Sequence, residues 1–354
     1  MVPRVLVTTF LALFFVSANG GENTVGEDHV FTHGDVDRTY KMYRPKNLAD
    51  NAPLVFVLHG MGSSSTWSYR VGFNDLAEEH GFFVVQPQAL VKDIVISGSY
   101  GESDGVKDDR GKKDDRGKKR DSGKKGKSGN EESCEEGERY NYRGLDMVCK
   151  NGMLTGGIVR WNDDNEDSKH RGQSDVEYLS ALAGFLQNKY NLDPEKTFVT
   201  GFSNGGYMSY TLMCQAGEVF KAAAPVAGLA NAQVFQKCAP GGPKPLLHIH
   251  GAEDGSVPIE GNWGGGGKST SPGAQDLVAY FADLNDSVTT EKFKVTDNTT
   301  LTLYNPKRGG AEVRYYRIEN HDHVWPGGDL GKKGYKDHSG IKATEVIWDF
   351  FSRL

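Results

Sequence analysis

Thr197-Phe198-Val199-Thr200-Gly201-Phe202-Ser203-Asn204-Gly205-Gly206-Tyr207 is the stretch on which the fold turns. Residues 197–200 are short, apolar and β-branched, which predicts a buried strand. Residues 207–213 carry a helical rhythm. Between them lies Gly201-x-Ser203-x-Gly205. A serine on so sharp a strand-to-helix turn stands with its hydroxyl above the sheet. Small residues two before and two after it let the backbone fold back on itself. The helix N-terminus that follows favours negative charge developing beside the serine.

The same pattern of strands and helices extends outward. Apolar runs at 53–58, 81–85, 245–249 and 313–318 predict further buried strands. Residues 175–190 place Val176, Leu179, Leu182, Ala183 and Leu186 at helical spacing, with Asp175 in the first turn. Residues 343–351 predict a closing helix. Strands alternating with helices predict an α/β fold, with a mostly parallel central sheet covered by helices on both faces.

Two later segments follow predicted strands, where open parallel sheets place their sites. His250-Gly251-Ala252-Glu253-Asp254 offers an acid able to accept the Nδ1–H of a histidine. Asp254 is preferred, because the longer Glu253 side chain needs a different loop path. Asn320-His321-Asp322-His323-Val324-Trp325-Pro326-Gly327 offers two candidate histidines, His321 and His323, the second followed by the stiff Trp325-Pro326. The order Ser203, Asp254, His323 is that of α/β-hydrolases. A metal site at 321–323 lacks fixed ligand geometry and a third ligand segment. No metal or organic cofactor is expected.

Residues 102–139 do not fit the pattern. They hold 12 basic and 12 acidic residues, and the hexamer Asp-Asp-Arg-Gly-Lys-Lys occurs at 108–113 and again at 114–119. With so little apolar surface to offset ordering entropy, a disordered low-complexity insert is expected.

Arg4, an apolar run over 5–16 broken only by Thr8 and Thr9, and then Ser17, Ala18 and Gly20 make the three-part layout of a secretory signal peptide. The run is shorter than the roughly 20 residues that span a bilayer. Residues 1–20 are therefore expected to be removed. That leaves 21–354 as one extracellular domain with no membrane partner. Secretion makes disulfides plausible among Cys134, Cys149, Cys214 and Cys238, the sequence-local choice being Cys134–Cys149 and Cys214–Cys238. Sequons at Asn285 and Asn298 are candidate glycan sites in a eukaryotic host. Asp+Glu 47 against Lys+Arg 41 gives a net charge of -6, which offers no bulk support for a nucleic-acid partner. A mean hydropathy of -0.55 excludes a polytopic membrane protein.

The ordered combination of motifs resembles the secreted polyhydroxybutyrate depolymerase and feruloyl esterase group of α/β-hydrolases, related to carbohydrate esterase family one. The resemblance is carried by Leu58-His59-Gly60, Ser174-Asp175-Val176, 198–206 with 222–228 behind it, His250-Gly251 through Asp254 to Val257-Pro258, and His323-Val324-Trp325-Pro326-Gly327. It implies Ser203 as nucleophile, Asp254 as acid and His323 as base, and so decides for His323 over His321. Met61 stands where the group commonly has cysteine. An oxyanion donor needs only its backbone N–H, so Met61 and Asn204 are the expected donors. The pairing of Cys214 with Cys238 is also implied. The implied activity is secreted serine esterase action on ester-bearing polysaccharide, of feruloyl or acetyl-xylan type. Polyester depolymerisation, peptidase action and an inactive carbohydrate-binding homologue are the alternatives. Trp67, Trp161, Trp263 and Trp325 are candidate cleft aromatics, with core packing the alternative for each.

Overall fold

The computed structural model describes residues 28–96, 105–106, 135–142, 145–163, 174–261, 271–307, 309–328 and 336–354. The expected signal segment 1–20 and most of the charged insert lie outside them.

The central sheet has ten strands. Its first edge is β1 (His29–His33) and β2 (Val36–Tyr43), antiparallel to each other, with β2 antiparallel to β4 (Phe83–Pro87). Six parallel strands follow in the order β4, β3 (Ala52–Leu58), β10 (Leu192–Phe202), β11 (Ala222–Val226), β12 (Leu246–Gly251) and β15 (Val313–Ile318). The antiparallel pair β14 (Thr299–Pro306) and β13 (Ser287–Lys294) closes the other edge.

Side-chain alternation along β3 shows why this sheet needs two covers. Leu54, Phe56 and Leu58 join a core with α3 (Asp175–Tyr190), α4 (Asn204–Gln215), α5 (Ala232–Gln236) and α6 (Ala274–Leu284). Val55 and Val57 join a second core with α2 (Phe73–His80) and α7 (Ala343–Phe351), against which Trp67 of α1 (Ser65–Arg70) also packs. Each fully buried Leu, Val or Phe contributes about 1.5–3 kcal/mol. On the second face Trp348 stacks on Phe82 at 3.8 Å, and Phe351 on Phe198 at 4.7 Å. Thr344 donates to the Val71 carbonyl across 273 residues of chain. This is the α/β-hydrolase architecture.

Helix α3 spans the predicted residues. Ser174 caps it by accepting Glu177 N–H at 3.3 Å, and Asn191 ends it in the left-handed region at φ 52°. Strand β4 starts two residues later than 81–85, because Gly81 is spent as the left-handed C-cap of α2 at φ 74°.

The insert expected over 102–139 meets described strands at both of its ends. Strands β5 (Val91–Ile96), β9 (Met153–Val159), β8 (Leu145–Lys150), β7 (Arg139–Tyr142) and β6 (Gly105–Val106) form a second, antiparallel sheet in that order. The charged run thus interrupts a sheet of its own; residues 107–134 lie outside the described residues.

A buried ionic cluster joins the two sheets. Asp175 Oδ1 accepts from Arg38 at 2.7 Å, while Oδ2 accepts from Lys92 Nζ and Asn162 N, both at 2.6 Å. Burial opposes the charge on Asp175, yet Lys92 and Arg38 outweigh it and hold the carboxyl below its ordinary range.

Candidate active site

Four strand ends converge. Ser203 follows β10, His59-Gly60 follows β3, Asp254 lies beyond β12 and His323 beyond β15. All are C-terminal ends of parallel strands, where this class of sheet places its sites.

Ser203 has φ 55° and ψ -119°, a conformation that costs a non-glycine residue about 1–3 kcal/mol. Its surroundings hold it there. Ser203 N–H donates to Val226 O at 3.0 Å, and Tyr207 N–H donates back to Ser203 O at 3.0 Å. A Cβ on Gly205 would overlap the carbonyl oxygens of Leu58 and His59. One on Gly201 would overlap Gly205 O, and one on Gly228 would overlap Ser203 O. The glycines flanking the serine are therefore required by close packing.

Asp254 and His323 are bonded. The carboxylate Oδ2 accepts from His323 Nδ1 at 2.7 Å, while Oδ1 accepts Ser256 N–H at 2.9 Å and Val257 N–H at 2.7 Å. A carboxylate only accepts, so His323 carries a proton on Nδ1, which leaves Nε2 as the ring nitrogen not held by the acid. The Phe202 ring lies 4.6 Å from the imidazole, which places His323 against the residue preceding the serine. Glu253 is exposed, so the acid facing the histidine is Asp254.

His321, the rival by sequence, is buried elsewhere. Its Nε2–H donates to Val324 O at 3.1 Å, and burial lowers its pKa. Asp322 ties the two loops: its Oδ1 accepts His323 N–H at 2.7 Å and Gly255 N–H at 3.1 Å.

The turn after β3 abuts the serine, since a Cβ on Gly60 would sit 3.4 Å from Ser203 Cβ. Gly62 N–H donates to Val159 O at 2.7 Å, so the second sheet fixes this turn. His59 donates from Nδ1 to Gly60 O at 2.8 Å and accepts Ala89 N–H on Nε2 at 3.1 Å. Burial drives its pKa down to about 4, so the ring is neutral at pH 7. Met61 follows directly on Gly60. Asn204 opens α4, whose first N–H groups have no intrahelical acceptor.

Two of the four cleft tryptophans are corrected. Trp161 and Trp325 are both 0% exposed and present no face to a ligand. The Trp161 indole donates to His59 O at 2.9 Å, and that of Trp325 to Thr344 Oγ1 at 3.3 Å. Trp67 is half-buried and stacks on Phe202 at 5.3 Å. Trp263 lies outside the described residues.

The Cys214–Cys238 disulfide is present. Cys149 is also disulfide-bonded, while Cys134 lies outside the described residues. Asn285 is fully buried, with its amide bonded to Lys244 N and Lys244 O, so the folded chain offers no free amide at the first sequon. Asn298 is half-exposed, and its amide donates to His338 O at 2.8 Å.

Sequence reasoning missed what lies beneath the serine. Asn204 Nδ2 donates to Asp163 Oδ2 at 2.9 Å, and Asp163 in turn meets Arg160 at 3.3 Å. It also missed the ring pair His248 and His250 behind Asp254, although alternate residues on a strand share a face.

With this geometry the chain resembles proteins of one broad kind. The prolyl oligopeptidase family profile matches residues 159–239. A bifunctional acetylxylan esterase/xylanase of Neocallimastix patriciarum is 21% identical over 323 residues, covering 89% of this chain and 33% of that protein. Feruloyl esterase B of Piromyces equi is 29% identical over 162 residues, covering 44% and 30%. A probable feruloyl esterase C of Aspergillus clavatus is 35% identical over 105 residues, covering 29% and 37%. The chain spans about a third of the length of these curated relatives. Among solved structures, an acetyl xylan esterase from Aspergillus awamori superposes with a TM-score of 0.55 at 15% identity, over 93% of this chain and all of that one, a likeness of fold. Fold and relatives together point to the esterases of the α/β-hydrolase superfamily.

Proposed function

We propose that the protein is a secreted serine esterase that cleaves carboxylic esters on plant cell-wall polysaccharide, of feruloyl or acetyl-xylan type. The observation that carries this is the strained Ser203 elbow beside an Asp254–His323 pair bonded at 2.7 Å. The names of the relatives support the substrate class. The signal-like layout of 1–20 and the Cys214–Cys238 disulfide support secretion.

In this reading His323 Nε2 takes the Ser203 proton as Oγ attacks the ester carbonyl. The Met61 and Asn204 backbone N–H groups stabilise the oxyanion. The alcohol leaves with the proton from His323. Water then gives a proton to the same nitrogen as its oxygen attacks the acyl carbonyl; the acyl–Oγ bond breaks, His323 returns that proton to Ser203 Oγ, and the acid leaves. Trp67, stacked on Phe202 next to the serine, is the aromatic surface for the acyl group.

The test is fluorophosphonate labelling of wild type and Ser203→Ala, with product analysis on feruloylated arabinoxylan, acetylated xylan and poly(3-hydroxybutyrate). Labelling confined to wild type, with ferulate or acetate released, supports the proposal. Release of 3-hydroxybutyrate alone would replace the polysaccharide substrate with a polyester. A folded wild type that never labels would overturn the esterase reading.

A further inference from the structure

Behind Asp254 a line of buried rings runs through the sheet. Tyr210 Oη lies 2.8 Å from His248 Nδ1, and His248 Nε2 lies 3.1 Å from His250 Nδ1. His250 Nε2 lies 2.8 Å from Val257 O and 3.5 Å from Asp254 Oδ2, the oxygen that also accepts from His323. All three rings are fully buried.

The protons along this line are fixed by its far end. Val257 O can only accept, so His250 carries a proton on Nε2. Burial lowers the pKa of both histidines, so each ring is neutral. His250 Nδ1 is then a lone pair and takes the Nε2–H of His248. His248 Nδ1 is in turn a lone pair and takes the Tyr210 O–H. Tyr210, whose own pKa burial raises, is the terminal donor. Each group has one consistent role, and the order ends on the Asp254 loop.

Val257 is held from two sides. Its carbonyl accepts from His250, and its N–H donates to Asp254 Oδ1 at 2.7 Å. His250 therefore fixes the turn that aims the carboxylate and presents an N–H edge to the oxygen facing His323.

We infer that His250, its Nε2–H directed by the Val257 carbonyl and its Nδ1 occupied by the His248–Tyr210 pair, is a positioning residue that aims Asp254 at His323. The inference deepens the esterase reading and rests on it for its rate effect, but the Asp254–His323 bond exists in the resting protein. It is therefore observable without turnover.

The test uses the full chain and four variants: His250→Leu, His250→Asn, His250→Gln and Tyr210→Phe. The readouts are kcat and KM on a short p-nitrophenyl ester, and the downfield proton and ring-nitrogen NMR signals of His323. His250→Leu and His250→Asn remove the N–H that reaches Val257 O. Each should lower kcat about tenfold or more with KM within twofold, the equivalent of losing one hydrogen bond. Each should also shift or broaden the His323 signal. Gln places an amide N–H near the lost Nε2, so His250→Gln should lose no more than about threefold. Tyr210→Phe keeps the ring but leaves the buried His248 Nδ1 lone pair without its donor, which loosens the His248–His250 contact. It should cost about threefold in kcat and move the His323 signal in the same sense.

If His250→Leu does not fold, Tyr210→Phe and the Asn–Gln contrast decide. Wild-type His323 signals in Tyr210→Phe, or equal behaviour of the Asn and Gln variants, would overturn the inference. Absence of Ser203 labelling in wild type would sink the esterase reading instead, and the NMR comparison would still decide this one.

Discussion

The Oδ1 of Asn204 accepts the backbone N–H of Trp161 at 2.7 Å. The residue next to the serine is thereby fastened to the chain leaving the second sheet. That sheet also holds the Gly60–Gly62 turn through Val159. Elbow, turn and second sheet are hydrogen-bonded to one another, so a change in any of them should be felt at Ser203.

Asp254→Asn should lower kcat by about 10³–10⁴ with little change in KM. The Oδ1 position receives two backbone N–H groups and so must remain oxygen. The amide nitrogen then faces His323 Nδ1, where two donors repel. The ring turns to the tautomer that protonates Nε2 and can no longer take the serine proton. Steady-state kinetics on a short ester check this, and near-wild-type kcat would refute it.

Gly205→Ala and Gly184→Ala should act in opposite directions. The added methyl at 205 enters the Leu58 and His59 carbonyls, and about 4 kcal/mol or more of stability should be lost. At Gly184, inside α3, nothing lies within 4 Å of the new carbon. Better helix propensity there should add about 1 kcal/mol. Urea unfolding of the two variants measures both effects.

Asp175→Asn should destabilise by about 3–5 kcal/mol, since it strands two buried cations, Arg38 and Lys92. Adding Lys92→Met should recover part of the loss. If the single variant melts with wild type, the cluster carries no structural weight.

Acid should weaken the fold through His59. Its folded pKa of about 4 lies below the unfolded value of 6.5, so between those pH values the unfolded chain binds the extra proton. Stability from this group is complete above pH 6.5 and is lost as pH falls toward 4, by about 3 kcal/mol in all. His59→Gln should show a shallower fall in urea midpoint between pH 7 and 4.5 than wild type.

The elbow was legible because strand, Gly-x-Ser-x-Gly and helix must coincide within a few residues. Helix α3 was legible because its apolar stripe and Ser174 cap are local. The choice of His323 over His321 was not local; it depends on which ring the loop turns toward Asp254, 69 residues earlier. The second sheet escaped notice because the charged run 107–127 splits it and Lys92 looks like a surface residue. Its partner Asp175 is 83 residues away. The indoles of Trp161 and Trp325 suit a core or a cleft equally, and only the packed chain distinguishes the two.

Thr344 and Val71 meet across 273 residues, and with them α7 closes over the face built from Val55, Val57, Phe73 and Phe82. Synthesis runs from the N-terminus at roughly 5–20 residues per second, so that face waits roughly 15–50 s for its cover. During that interval the nascent chain presents a broad apolar surface to every neighbour. Successful production is then a race between translation of the last helix and clumping of unfinished chains. A host that supplies a holding chaperone, or slows initiation to space ribosomes, gains yield without altering a single contact in the finished protein.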